Sequence, residues 1–260
     1  MATDPLLFDD PCVLFALRRE SAPFFRLFPV QERFPGAPCR ARFCGPSWLT
    51  VLVLETGVGP DDAGRALDWL LGAPLLDNVP YRPKVVVSAG FCGALKPGYR
   101  AGDVVLADEV VAEDESWPVP WPGALPAGEW HPALHRDRLL CLSRLVGEVA
   151  DKRALAERHG AGVVDMESAA VARACRKADV PFGCVRAVSD DCEMPLSPKL
   201  AACLNGGRVA PLRLLAATAA SPGLVPQMWR LARQTRHAAG QLALALGELL
   251  TLTLPWTAET

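Results

Sequence analysis

Short apolar runs that alternate with helical patterns constrain this chain more than any other feature. Cys12–Leu17 stops at Arg18-Arg19-Glu20, and Leu49–Glu55 ends in Thr56-Gly57-Val58-Gly59-Pro60. Val85-Val86-Val87 runs into Ser88-Ala89-Gly90-Phe91-Cys92-Gly93, Asp103–Val111 reads as a further strand, and Val180–Val188 leads to Ser189-Asp190-Asp191. Between them, Asp61 and Asp62 open a helix with Ala66, Leu67, Leu70 and Leu71 on one face, and Met166–Ala178 reads as another. Such alternation predicts an α/β sheet with helices on its faces. With 260 residues, half of them apolar, the chain has material for one large core. It shows no internal repeat and no flexible linker. Residues 1–260 are therefore expected to form a single domain with a helical C-terminal extension from about residue 200, in which Leu224–Leu250 forms one or two helices.

Charge and cysteine usage exclude several function classes. A formal charge of −2 provides no basic footprint for nucleic acid. Of the four histidines, only His131 and His135 have ligand-like spacing, and Pro132 between them argues against a helical metal site. Nine cysteines without a CxxC read as reduced, buried thiols, which predicts a cytoplasmic protein. The N-terminus has no basic stretch leading into an apolar one, and no apolar run reaches 18 residues, so neither a signal peptide nor a membrane span is expected. Residues 113–135, with five prolines and three tryptophans (Trp117, Trp121, Trp130), read as a long surface loop.

In open α/β sheets, ligands gather at the carboxyl ends of strands. Four features fall there: Glu20, the glycine segments at 57–59 and 90–93, the Asp165-Met166-Glu167 turn, and Arg186 with Asp190. Read singly, each has a plain structural role. Glu20 after two arginines suits a solvated helix start, Glu167 suits a helix dipole, Met166 fills a core and Asp190 caps a helix.

Together and in order they resemble the superfamily of nucleoside phosphorylases and nucleosidases. Val164-Asp165-Met166-Glu167-Ser168 is similar to that family's Val-Glu-Met-Glu motif. Pro181-Phe182 and Val185-Arg186-Ala187-Val188-Ser189-Asp190 are similar to its Pro-Phe and Val-Arg-Ala-Ile-Ser-Asp. Gly57-Val58-Gly59, Gly90-Phe91-Cys92-Gly93 and Ala101-Gly102-Asp103 match its glycine loops and a strand entry, over roughly residues 11–195. The resemblance implies a three-layer α/β sandwich whose mixed, twisted central sheet is flanked by helices. It implies cleavage of a purine nucleoside's N-glycosidic bond, with a small-molecule nucleoside as partner, no cofactor and no metal.

Residue by residue, the resemblance assigns Glu20 to activating the attacking water and Asp190 to protonating, or sharing a proton with, N7 of the purine. Asp191 is a rival for that second role. A proton donor works best near its own pKa, which a dry pocket supplies. Glu167, in a first helical turn that favours the ionised form, would accept the ribose hydroxyls, and Met166 would pack on the sugar. Asp165 belongs to the same binding turn, Arg186 would orient the aspartate or its loop, and the base would lie against Leu145-Val146. Gly90 and Phe91 would also contact the substrate, and Gly57, Gly59 and Gly93 would shape the loops around it.

Phosphorylases of the superfamily carry a Ser or Thr where this chain has Phe91, which offers no donor to phosphate, so hydrolysis is expected over phosphorolysis. Arg18 and Arg19 keep phosphorolysis open. A narrower likeness, in Asp151-Lys152-Arg153-Ala154-Leu155, the Val-Asp-Met-Glu-Ser run and Asn205-Gly206-Gly207-Arg208, is to the hopanoid-associated nucleosidase/phosphorylase group, linked to removing adenine from adenosylhopane. It implies a homo-oligomer, and it suits the Pro/Trp-rich segment and C-terminal helix to an apolar substrate tail or a peripheral membrane contact. A methylthioadenosine/S-adenosylhomocysteine nucleosidase, a futalosine-type hydrolase and a non-catalytic nucleoside-binding protein are the alternatives.

Overall fold

The computed structural model describes residues 10–76, 79–121, 134–195 and 224–252. Its first strand, β1 (Pro11–Phe15), is buried at every position, as a strand covered on both faces must be. Cys12 and Leu14 point to one side, where they meet Leu52 and Leu54 of β4 (Val51–Glu55). That side is covered by α2 (Pro60–Leu71) through Ala63, Leu67 and Leu70, and by α4 (Ser168–Ala178) through Ala172 and Cys175. Val13, Phe15, Val51 and Val53 point to the other side. There they pack against Phe24 and Phe28 of α1 (Arg18–Leu27) and Leu242 and Leu246 of α5 (Leu224–Leu252). The alternation of one strand's side chains between two helix layers is the physical basis of the three-layer sandwich.

The sheet is mixed. β1 lies between β4 and β7 (Val85–Ala94), parallel to both, and β7 is parallel to β12 (Phe182–Asp190). β12 is antiparallel to β8 (Val104–Ala112), which pairs in parallel with β10 (Leu134–Cys141), itself parallel to β11 (Val163–Asp165). The edge beyond β4 is antiparallel, through β3 (Arg40–Cys44) and β2 (Val30–Arg33). Two features were not expected from sequence. β11 also pairs antiparallel with the end of β7, at Gly93 and Ala94, so β11, β10, β8, β12 and β7 close into a ring. A separate two-stranded ribbon joins β5 (Leu75–Leu76) and β6 (Val79–Pro80).

Several local expectations are corrected. Gly90–Gly93 is not a loop; it lies within β7, because backbone pairing to β12 and β11 continues through it. The start of the presumed 113–135 loop folds back on β8 as β9 (Glu115–Pro118), with Trp117 in the core. Trp121 donates its indole N–H to the Ala107 carbonyl at 2.8 Å. Residues 134 and 135 belong to β10, while Trp130 and His131 lie outside the described residues. The C-terminal segment, expected as one or two helices, is one helix: Ala238, Leu242, Ala243, Ala245, Leu246, Leu249 and Leu250 are buried in the layer with α1, where each leucine contributes roughly 1.5–3 kcal/mol. The expected extension at 200–223 lies outside the described residues. Among the described residues, no helix is long and apolar enough to cross a membrane.

Candidate active site

The carboxyl ends of β1, β4, β7, β10, β11 and β12 surround a cavity of about 200 Å³. Its wall includes Glu20, Glu167 and Asp190, together with Phe91, Met166 and Val146. Three acidic residues separated by up to 170 positions therefore meet at one opening, as strand-end geometry allows and sequence distance does not reveal. Asp165, Leu145 and Gly93 also line it, whereas Asp191 does not.

Glu20 sits in the first turn of α1 and is buried, 4% exposed, unlike the solvated helix start its sequence neighbours suggest. The reason is local. Its Oε2 accepts the Leu17 backbone N–H at 2.7 Å, closing the helix N-terminus, and its Oε1 accepts the Phe91 N–H at 3.1 Å. A Cβ at Gly90 would lie 3.0 Å from Glu20 Oε1, so glycine there gives the carboxylate room to lie close against the strand. Burial pushes the Glu20 carboxyl up to about 7, against the pull of those two amides and of Arg186.

Glu167 is the N-cap residue of α4, one position outside the first turn expected for it. Its Oε1 accepts the Gly59 N–H at 3.1 Å, which ties the end of β11 to the glycine turn Gly57–Gly59 before α2. The expectation that the helix dipole keeps it ionised is corrected. Burial first, and then the charges of Asp165 and Glu20, push it up to about 7. Dipole stabilisation at a helix end is a smaller effect than removal from water.

Asp190 closes β12. Its Oδ2 accepts from the Lys152 ammonium at 2.6 Å, and its Oδ1 lies 2.8 Å from the Ser189 hydroxyl, which is also 3.1 Å from the Cys92 carbonyl. A Cβ at Gly93 would lie 3.2 Å from Asp190 Oδ2, a second tight approach between a carboxylate and a glycine of β7. Asp191 turns away and accepts the Glu193 N–H at 3.1 Å.

Arg186 does not orient Asp190. Its Nε and Nη2 both reach Asp165 Oδ2, at 2.8 and 2.6 Å, and Nη2 also donates to the Ser88 hydroxyl at 2.8 Å. Asp165 further accepts from the Ser168 N–H and hydroxyl at 3.1 and 2.7 Å. Arg186 neutralises Asp165, and most of the hydrogen-bonding capacity of both is spent within the protein. It underlies the site in a small second cavity with Glu20, Glu167 and Ser88.

One residue at the site escaped the sequence reading. Lys152 of α3 (Val149–His159) is wholly buried, yet in Asp151-Lys152-Arg153 it reads as part of a solvated charged face. Nothing in helical periodicity marks it, because the other residues of α3 are partly or fully exposed.

A sequence model of the family described as the phosphorylase superfamily matches residues 47–128 and 124–202, together more than half of the chain. A 5′-methylthioadenosine/S-adenosylhomocysteine nucleosidase of Exiguobacterium is 28% identical over 172 residues, covering 56% of this chain and 69% of the relative. The protein of the same name from Staphylococcus aureus is 26% identical over 162 residues, covering 54% and 68%. Among solved structures, the Helicobacter pylori 5′-methylthioadenosine/S-adenosylhomocysteine nucleosidase superposes with a TM-score of 0.65 at 18% identity, over 95% of this chain and 99% of that one. The futalosine hydrolase of the same organism gives 0.60 at 19% identity, over 93% and 98%. At these identities the solved structures establish a shared fold.

Proposed function

The chain belongs to the phosphorylase superfamily, and from that premise we propose that it hydrolyses the N-glycosidic bond of a purine nucleoside and releases adenine. The observation that carries this reading is the convergence of Glu20, Glu167 and Asp190 on one cavity. The names of its relatives, nucleosidases that act on adenine nucleosides, support it. As the bond from C1′ to the base breaks, its electron pair moves to the purine and C1′ becomes oxocarbenium-like. Glu20, held by two amides and pushed to about 7, takes a proton from the attacking water, a task suited to a base poised near neutral pH. Asp190 protonates, or shares a proton with, N7 of the leaving base. Glu167 accepts the ribose hydroxyls, Met166 packs on the sugar, and Leu145 and Val146 flank the base. Two carboxyl groups in these roles suffice, by analogy with O-glycosidases, and the scheme uses no metal or cofactor.

Water is favoured over phosphate for a reason beyond the side chain of Phe91. The Phe91 and Gly59 backbone N–H groups, natural anion donors, are already engaged by Glu20 and Glu167. A phosphate would meet two carboxylates where it needs donors. Arg19, on the cavity wall, is the residue that favours phosphorolysis as the second reading.

The substrate is an adenine nucleoside with a bulky apolar 5′ substituent, adenosylhopane in the finest form of the reading. Leu145, on the cavity wall, packs against Met194, as do Met228 and Leu231 of α5, so an apolar seam through Met194 leads from the cavity to α5, where Trp229 is 68% exposed. That seam supports a lipid-like tail and a peripheral membrane contact. The reading carries with it a single domain, a homo-oligomer and a cytoplasmic setting; the described cysteines are free thiols, which favours a reducing compartment.

Adenine release from adenosine, methylthioadenosine and a lipid-linked adenosine, each with and without phosphate, tests all of this. Phosphate-independent release, fastest with the lipid-linked substrate, is expected. Phosphate-dependent release would establish the phosphorylase, a preference for methylthioadenosine would remove the hopanoid assignment, and affinity without turnover would leave a binding protein.

A further inference from the structure

Lys152 is the one buried residue of α3, and it is a cation. A leucine would hold the helix to the sheet without the cost of taking a charge out of water, so packing does not account for the choice. Its surroundings do. The ammonium has three donors and three acceptors: Asp190 Oδ2 at 2.6 Å, the Asp191 carbonyl at 2.8 Å and the Met194 carbonyl at 3.4 Å. None is left for a ligand, and Lys152 is not part of the cavity wall. Asp190 is on that wall, and of its two carboxylate oxygens one is held by Lys152 and the other by Ser189.

We propose that Lys152 is a positioning residue for the reaction. It fixes the orientation of Asp190 toward the purine and anchors the Asp191–Met194 turn that follows, while touching no substrate itself. Through one side chain α3 thus sets the geometry of a group on β12, 38 residues away. Of the other charged groups around the cavity, Arg19 is an exposed residue, and the rest have partners of their own. Arg186 is committed to Asp165, Arg144 is paired with Asp151 at 3.2 Å, and Glu20 and Glu167 are bound to backbone amides. Of the three acidic residues on the cavity wall, Asp190 is the one in contact with an ammonium.

The proposal rests on the nucleosidase reading, and a double-mutant cycle of Lys152→Met and Asp190→Asn separates the two. If Lys152 acts through Asp190, Lys152→Met lowers kcat by about 10²-fold, with KM changed less than about threefold. In the Asp190→Asn background the same substitution then changes kcat by less than about twofold. Thermal melting accompanies each protein; Asp190→Asn should restore stability to Lys152→Met, because no carboxylate is then left buried without its cation. An equal loss of kcat in both backgrounds, or none in the wild-type background, overturns the proposal and leaves the nucleosidase reading intact. Wild-type protein inactive on every nucleoside overturns that reading instead. Adenine affinity measured by calorimetry over the same four proteins then decides Lys152 alone: coupled losses support it, while additive losses or no adenine binding at all overturn it.

Discussion

Asp165 shows how a residue beside a ligand pocket is committed elsewhere. Its oxygens receive Arg186 twice and Ser168 twice, and the pair with Arg186 is almost fully buried. Asp165→Asn leaves the guanidinium without a counter-charge, and removal of one partner of a buried ion pair costs roughly 3–5 kcal/mol. Urea unfolding should therefore report a large loss of stability, where a residue serving only the ligand would report little. Gly90→Ala makes the opposite kind of demand: the added methyl meets Glu20 Oε1 at 3.0 Å, so activity should fall by ten-fold or more, on the order of one misplaced catalytic group, while melting changes little. At this scale the sequence was informative where chemistry dictates residue type. Glu20, Glu167 and Asp190 stood out by their order along the chain. Lys152 did not, because a lysine's direction is set by what the helix packs against, and its neighbours Asp151 and Arg153 are those of a solvated surface.

Elements were legible where a period was clean. β1 and most of β4 are continuous apolar runs, β12 is apolar apart from Arg186 and its last two residues, and all three appear as strands buried along their length. β9 was hidden by prolines and tryptophans that suggest a loop, and its partner β8 supplies the pairing that the local sequence could not announce. α5 was recognised as helical, but its apolar residues alone do not say which surface they meet. Their burial is measurable. Leu242→Ala, at a fully buried position in the layer shared with α1, should cost about 2–5 kcal/mol in denaturant unfolding. Trp229→Ala, on the exposed N-terminal half of the same helix, should stay within about 0.5 kcal/mol. A small loss at both positions would mean that α5 is an appendage.

For the whole molecule, the ring closed by β11 against β7 brings Asp165, Glu167 and the glycines of β7 to the same end as β12. A three-residue strand pairing with a segment some 70 positions earlier carries no local signal, so the sequence could order the site residues but not enclose them. Enclosure has an electrostatic consequence. Glu20 and Glu167 are raised from 4.5 to about 7 in the folded protein, so between those values the folded state holds protons that the unfolded chain has released. Stability from these two groups is then fully present below pH 4.5 and lost as pH rises through about 7, a change on the order of a few kcal/mol for the pair. Glu20→Gln/Glu167→Gln cannot titrate at either position. Its melting temperature relative to wild type should therefore rise between pH 5 and pH 8, by roughly 2–4 °C per kcal/mol for a chain of this size. Melting curves that stay parallel over that interval would show that the carboxyls ionise freely. A nucleoside whose hydroxyls donate to Glu167 favours its charged form, so binding at pH 6 should release a proton, seen in calorimetry as a heat that depends on the buffer's ionisation enthalpy. Loss of that dependence in Glu167→Gln would identify the carboxyl responsible, whereas its persistence would assign the proton to Glu20.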